Sequence, residues 1–436
     1  MDGILCDELE EEVIRRLPPH SALCRSTAHV SLVSKRWLRL YRSTRSTLSV
    51  GLGFPGGCIS LSNFLCHFPH LSSLSIATRS DSPDWFLLSV TSSCPKLTHL
   101  SFKSKPISLS PLLSLSTSCP HLTSLFIVLS DPFSFHWLVS LHSLESLSVS
   151  FKCDPGVFER VDASSEGSFD DAELKLETLC LSGIGRRHRG FNWLWKSCKN
   201  LKKLQLECCD GIGVNMHVSS FVNCLKGLQE VELKTCPKIL GFFLPILAEN
   251  CKSLKSLLIS CFEVSALDRS GEALLQFITR SCCNLQKLSL GLKTISLAMS
   301  NELEELALID CRVVGRGGLL STLARNLRNL RKLDLSWNKR LADKQFKSML
   351  VRCNGLRELK VRQCSELTNA SLVSMFKSCE QLESVDILGC RGIEAEAVEL
   401  FISKCLKLRQ IHVEKSKLSD VSMSWALKKS IAILDH

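Results

Sequence analysis

Residues 353–364 read CNGLRELKVRQC, and residues 366–379 read ELTNASLVSMFKSC. In the first stretch Leu359 and Val361 point one way while Glu358, Lys360 and Arg362 point the other, the period of a half-buried strand. In the second, Leu367, Leu372, Met375 and Phe376 fall at the three-to-four-residue spacing of a helix face. The unit is a strand followed by a helix, and the next cysteine ends it.

The unit recurs. Its L-x-x-L-x-L core, or a close variant, starts at Leu71, Leu97, Leu122, Leu144, Leu176, Leu201, Leu228, Leu254, Leu285, Leu303, Leu330, Leu356, Leu382 and Leu408. The spacing centres on 26 residues, inside the range of roughly 20 to 29 that marks leucine-rich repeats. One such unit cannot bury its own apolar face, so neighbours must stack, with a parallel sheet inside and helices outside. The predicted class is α/β: a leucine-rich-repeat solenoid of about 14 units over residues 68–417. Before it come a small all-helical segment, 1–50, and a linker, 51–67; after it comes a capping helix within 418–436.

The chain has 23 cysteines among its 436 residues. Cys94, Cys119, Cys198, Cys251, Cys282, Cys353, Cys379 and Cys405 each stand three residues before the first leucine of a unit. Cys236, Cys311, Cys364 and Cys390 stand eight residues after it, where Asn338 takes the place in its own unit. These thiols read as packing residues, because a small side chain there can bond the backbone turning away from the strand. The N-terminus, MDGILCDELEEEVIRRL, is acidic and has no uninterrupted apolar segment, so no secretory signal is expected and the thiols are expected to be reduced, in nucleus or cytoplasm. The most apolar stretch, Ile239 to Ala248, is about half of what a membrane span needs.

Three intervals depart from the period. Between Leu144 and Leu176 a Pro, Gly, Ser and acid-rich insertion reads as an exposed loop; a smaller insertion is expected near Cys261 to Gly271, and the short unit at Leu285 has room for little helix.

The first fifty residues follow another pattern. Leu5, Leu9, Val13, Ile14 and Leu17 form a helical stripe that Pro18-Pro19 ends. A second, basic helix is expected over about Ala28 to Tyr41, with Val30, Val33, Trp37 and Tyr41 on one side and Leu32 beside them. The segment ILCDELEEEVIRRL…SLVSKRWLRL resembles an F-box through Leu5, Asp7, Glu8, Leu9, Ile14, Leu17, Leu32, Val33, Lys35, Arg36 and Trp37; Cys6 departs from the proline common there. With cysteine-containing repeats behind it, the chain is similar to the F-box/leucine-rich-repeat family, in a plant-like form.

That resemblance implies a non-catalytic subunit of an SCF-type cullin-RING ubiquitin ligase. Leu5, Leu9, Val13, Ile14, Leu17, Leu32, Val33 and Trp37 would dock a Skp-type adaptor, and through it a cullin. The repeats would hold an unidentified target protein on the concave face, where outward strand residues include Phe126 and Val128, Lys203 and Gln205, Glu230 and Glu232, Asp386 and His412. Lys332, Asp334, Trp337, Glu358, Lys360 and Arg362 are the expected target-binding group, with charged residues to grip a polar peptide and an aromatic to anchor it.

No catalytic site, metal or cofactor is expected: there is no Cys-x-x-Cys, no His-Glu-x-x-His and no phosphate loop. The net charge of +11 favours acidic partners without pointing to nucleic acid. The basic run at 184–203 interleaves Phe191, Trp193 and Trp195, but Phe191, Trp195 and Cys198 also make a plain core stripe. Two other readings fit the same residues: a repeat scaffold or inhibitor whose first helices only cap the solenoid, and a small-molecule receptor roofed by the 151–171 insertion.

Overall fold

The computed structural model of the chain describes residues 6–16, 34–52, 58–130, 135–152, 172–185, 191–209, 211–212, 218–236, 239–260, 285–291, 303–310 and 329–435. Contacts group it into two units, Met1–Lys203 with Val214–Cys224, and Leu204–Gly213 with Leu225–His436. The first unit opens with α1 (Asp7–Arg16) and α2 (Lys35–Thr44), which pack together. It continues with β1 (Thr47–Leu52), α3 (Cys58–Leu65), β2 (Ser73–Thr78), α4 (Pro83–Ser93), β3 (His99–Lys103), α5 (Leu109–Ser118) and β4 (Ser124–Leu129). After a 3₁₀ turn (His136–Ser140) come β5 (Ser146–Phe151), β6 (Thr178–Ser182) and α6 (Phe191–Ser197).

Two elements straddle the division, β7 (Lys203–Glu207) and α7 (Val218–Leu225). The second unit then holds β8 (Glu230–Lys234), α8 (Leu240–Asn250), β9 (Ser256–Ser260), β10 (Lys287–Gly291), β11 (Glu305–Leu308) and β12 (Lys332–Asp334). It ends with α9 (Asp343–Leu350), β13 (Glu358–Lys360), α10 (Asn369–Ser378), β14 (Ser384–Asp386), α11 (Ala395–Lys404), β15 (Gln410–His412), α12 (Asp420–Lys428) and β16 (Ala432–Leu434). The strands lie in sequence order in one sheet, and the pairs whose register is defined are parallel.

The repeat period explains this order. The second leucine of each core falls opposite its equivalent in the next strand: Leu333 pairs with Leu359, Leu359 with Val385, and Val385 with Ile411. In the unit that begins at Cys353, Leu356, Leu359, Val361, Leu367 and Met375 are fully buried. A buried aliphatic side chain of this kind contributes about 1.5–3 kcal/mol. Phe376, expected on the same helix face, is half-buried, because α10 needs only its Leu372 and Met375 side to cover the sheet.

The turn after each strand is built the same way. Seven residues past the first leucine, the backbone is left-handed at Gly183, Cys208, Thr235, Asp310, Trp337, Gln363 and Gly389. The N–H there reaches the following repeat: Trp337 donates to the Arg362 carbonyl (2.7 Å) and Gln363 to that of Leu388 (2.7 Å). At Gly183 a Cβ would stand 2.4 Å from the Phe151 carbonyl oxygen, so this turn requires glycine. One position on, Asn338 Nδ2 donates to the Leu308 and Leu335 carbonyls (2.7 Å each). Cys364 Sγ reaches Leu335 O (3.1 Å) and Cys390 Sγ reaches Val361 O (3.0 Å). Asn and Cys alternate here because either can donate to the carbonyl of the repeat before.

Among the described residues, the cysteines three residues before a core are buried too, with Cys251 Sγ on Leu228 O (3.2 Å) and Cys353 Sγ on Met349 O (3.5 Å). Burial pushes the thiols of Cys94, Cys198, Cys353, Cys364, Cys379 and Cys405 up to about 12 and those of Cys119 and Cys390 to about 11. They are protonated packing groups.

Several boundaries differ from expectation. The 51–67 span expected as linker holds the end of β1 and all of α3; β1 pairs with β2 through Leu48 and Leu74, so the sheet starts near Thr47. The C-terminal stretch is not one helix, since β16 follows α12 and pairs with β15. Phe191, Trp195 and Cys198 are buried, Trp195 packing against Phe221 at 5.1 Å, so these two aromatics of the basic run belong to the core, while Trp193 is half-buried. The 151–171 insertion beyond Lys152, the 261–271 insertion and residues 292–302 of the short unit at Leu285 lie outside the described residues.

Candidate functional site

Two surfaces collect the candidate residues, one in each unit. On α1, Leu9 and Val13 stand four apart and are 54% and 47% exposed. Glu10 and Ile14, also four apart but turned by about 100°, are 1% and 0% exposed. Glu10 Oε1 lies 3.4 Å from Arg36 Nη1 of α2, so the buried carboxylate is held by a cation, which burial of a charge requires. Ser34 caps α2 by accepting the Trp37 N–H (3.2 Å). Trp37 is half-buried, and Tyr41 is buried under the Arg45 guanidinium, 4.7 Å from its ring centre.

This corrects the expected stripe. Leu9 and Val13 are available to a partner, while Ile14 is buried within the chain. A helix cannot present residues 13 and 14 in the same direction, and the basic α2 draws the Glu10 and Ile14 side inward. Leu5, Leu17, Leu32 and Val33 lie outside the described residues, as do Ala28 to Val33 of the expected second helix.

In the second unit the open sheet face carries a charge ladder. Lys287 pairs with Glu305 (3.2 Å), Glu305 with Lys332 (3.5 Å), and Lys332 with Glu358 (3.3 Å). These residues occupy one repeat position and face each other in register. The carboxylates of Glu305 and then Glu358 raise the Lys332 pKa. Two positions on, Asp334, Lys360, Asp386 and His412 form a second row. Asp334 Oδ1 accepts the Ser336 N–H (2.9 Å). Asp386 is 7% exposed; it accepts the Leu388 N–H (3.1 Å) and pairs with Arg362 (3.2 Å).

The six residues expected to bind a target are therefore brought together on adjacent strands and turns, β12 and β13. Lys360 is exposed between two carboxylates in register, and Trp337 is 46% exposed on its left-handed turn. Beside Asp386, Arg362 Nε and His412 Nδ1 are buried. Two outward expectations fail: Val128 is 5% exposed and Asp386 is held by its own neighbours. Lys287 and Glu305 were not singled out in the sequence, although their repeat position, shared with Lys332 and Glu358, was the available signal.

The same face of the first unit is different in chemistry. Ser75, Ser101, Ser148 and Cys180 carry no charge, and Lys103 Nζ lies 5.9 Å over the Phe126 ring. Among the described residues there is no group of His, Cys, Asp and Glu placed to hold a metal. No described helix is long and apolar enough to cross a membrane.

No family model matches the chain, so the F-box likeness of its N-terminus has no such match. Among solved structures the chain is similar to the yeast Rad7–Elc1 complex, at 18% identity over 98% of this chain and 92% of that one, with a TM-score of 0.49. It is also similar to the Toll–Spätzle complex of Drosophila (15% identity, 85% and 46% covered, TM-score 0.48). A third is LegL7, a leucine-rich repeat-containing protein from Legionella pneumophila (12% identity, 58% and 88% covered, TM-score 0.41). None of these likenesses extends to function. By its own repeats and strand order the chain is a leucine-rich-repeat protein.

Proposed function

We propose that the chain is a target-binding subunit of an SCF-type cullin-RING ubiquitin ligase, held to a Skp-type adaptor by α1 and α2 and to its target by the open face of the repeats. The observation that carries this reading is the division of labour on α1. Its inner side, Glu10 and Ile14, is buried, yet two further apolar side chains, Leu9 and Val13, stay exposed together at helical spacing. A helix that served only as a cap would have no use for them, whereas a helix laid in a partner's groove uses such anchors. The N-terminal resemblance names the kind of partner. For the target, the ladder charges are already paired, so the exposed contacts on this face are Lys360 and Trp337.

The test is capture of a purified Skp-type adaptor by the full chain, beside Leu9→Asp, Val13→Asp and Ile14→Ala variants. On this reading each Asp variant weakens capture by about tenfold or more while unfolding at the unaltered midpoint, since hot-spot losses of about 1–2 kcal/mol are typical. Ile14→Ala should instead loosen α1 by about 2–4 kcal/mol, the cost of truncating a buried aliphatic. If the unaltered chain holds no adaptor, the first two helices are structural and the protein is a free-standing repeat scaffold.

A further inference from the structure

Helix α12 buries the wrong side for a helix with no partner. Toward the protein it turns Ser422 and Ala426, two small residues four apart, and both are buried. Its large apolar residues are left outside: Val421 is 50% exposed, Met423 42%, Trp425 36% and Leu427 78%. At about 100° per residue, Ser424 points almost directly away from the buried pair. Val421 and Trp425 then lie along one flank of the outer face and Met423 and Leu427 along the other. Asp420 and Lys428 mark the two ends, and both are exposed.

We propose that this face binds a second copy of the chain, the two α12 helices packing antiparallel about a two-fold axis through Ser424. That symmetry is written into the order of residues. Reversing the helix about Ser424 sets Val421 of one copy beside Trp425 of the other, Met423 beside Leu427, and Asp420 beside Lys428. The small Ser424 lets the two backbones approach at the crossing, and each end gains an opposite charge. A parallel pair would set Asp420 against Asp420 and Lys428 against Lys428. Lys429 stays out of the contact, since its ammonium donates to the carbonyls of Ile402, Ser403 and Cys405 at the end of α11. Nine residues make a helix about 13 Å long, which gives a contact below the roughly 1,200 Å² of standard interfaces, so the dimer is reversible and dependent on concentration.

The experiment is analytical ultracentrifugation of the full chain from about 1 to 200 μM, the range in which so small an interface titrates. The expected result is a monomer–dimer equilibrium, with Ser424→Arg and Leu427→Glu each weakening association about tenfold or more while leaving the far-ultraviolet circular dichroism unchanged. Asp420→Lys and Lys428→Asp should each weaken the dimer, and the double variant carrying both should restore it. A chain that is monomeric throughout, or a dimer indifferent to Ser424→Arg, overturns the proposal. So does a dimer that both single charge variants weaken and the double variant fails to restore, because that excludes the antiparallel pairing.

Discussion

Asn338 is the clearest case of a single side chain joining two repeats. It is 4% exposed, and its amide donates to Leu308 O and Leu335 O, two strand-exit carbonyls. Asn338→Ala should lower stability by about 1–3 kcal/mol, since it takes the side-chain donor from Leu308 O and leaves Leu335 O to the Cys364 thiol. Asn338→Cys should cost less, because the thiols of Cys364 and Cys390 make one such bond at the equivalent position. Urea unfolding midpoints of the two variants test this; equal losses would mean that the carbonyl contact contributes little. Trp337, one residue earlier, is a bulky side chain in left-handed backbone, a conformation that costs a non-glycine residue about 1–2 kcal/mol. Keeping an exposed tryptophan there accords with a contact surface rather than with stability.

At the scale of elements, helix ends are where the repeats are tied. Lys429 follows α12 yet completes α11, donating to Ile402 O (3.0 Å), Ser403 O (2.8 Å) and Cys405 O (3.1 Å). These are carbonyls left over at a helix C-terminus, where a cation is also favoured by the helix dipole. Lys429→Met should therefore cost about 1–2 kcal/mol, with Lys428→Met near zero in dilute solution. Thermal unfolding of the two variants separates them, and an equal effect would defeat the reading. The contrast on α1 is of the same kind: Ile14 is buried in the fold and Leu9 is exposed, though both are apolar and five residues apart.

Across the whole molecule the cysteines are a distributed component of the core, present in both units. Buried thiols with pKa values near 11 to 12 ionise only after the unfolded chain, whose thiols titrate near 9. The unfolded state binds fewer protons than the folded one above pH 9, so stability falls as pH rises. The contribution is complete below about pH 9 and is lost between 9 and about 12. Each fully protected thiol makes the slope about 1.4 kcal/mol per pH unit in that window. We expect alkaline unfolding to begin just above pH 9 under reducing conditions, followed by circular dichroism; stability that is flat to pH 11 would contradict it. In the native state at neutral pH, the exposed Cys6, Cys66 and Cys208 should alkylate before the other described cysteines.

The repeat architecture was legible in the chain itself because it is a local code repeated many times. A 26-residue period with alternating strand residues needs only its neighbours to bury it, so sequence spacing and spatial register are the same thing, and Leu333, Leu359 and Val385 could be aligned before any coordinates. The equivalent turn position of Asn338 and Cys364 was readable for the same reason. What only the tertiary structure decided was which side of each element met something else. Whether Ile14 or Val13 turned inward depended on where Arg36 of α2 lay, and whether Asp386 was free depended on Arg362 in the turn after the neighbouring strand. The start of the sheet at β1 was hidden because Thr47–Leu52 lacks the full leucine core and is recognisable only by its pairing with β2. Periodicity specifies a stack, while the partners of individual charged and apolar side chains are set by contacts between segments that no spacing records.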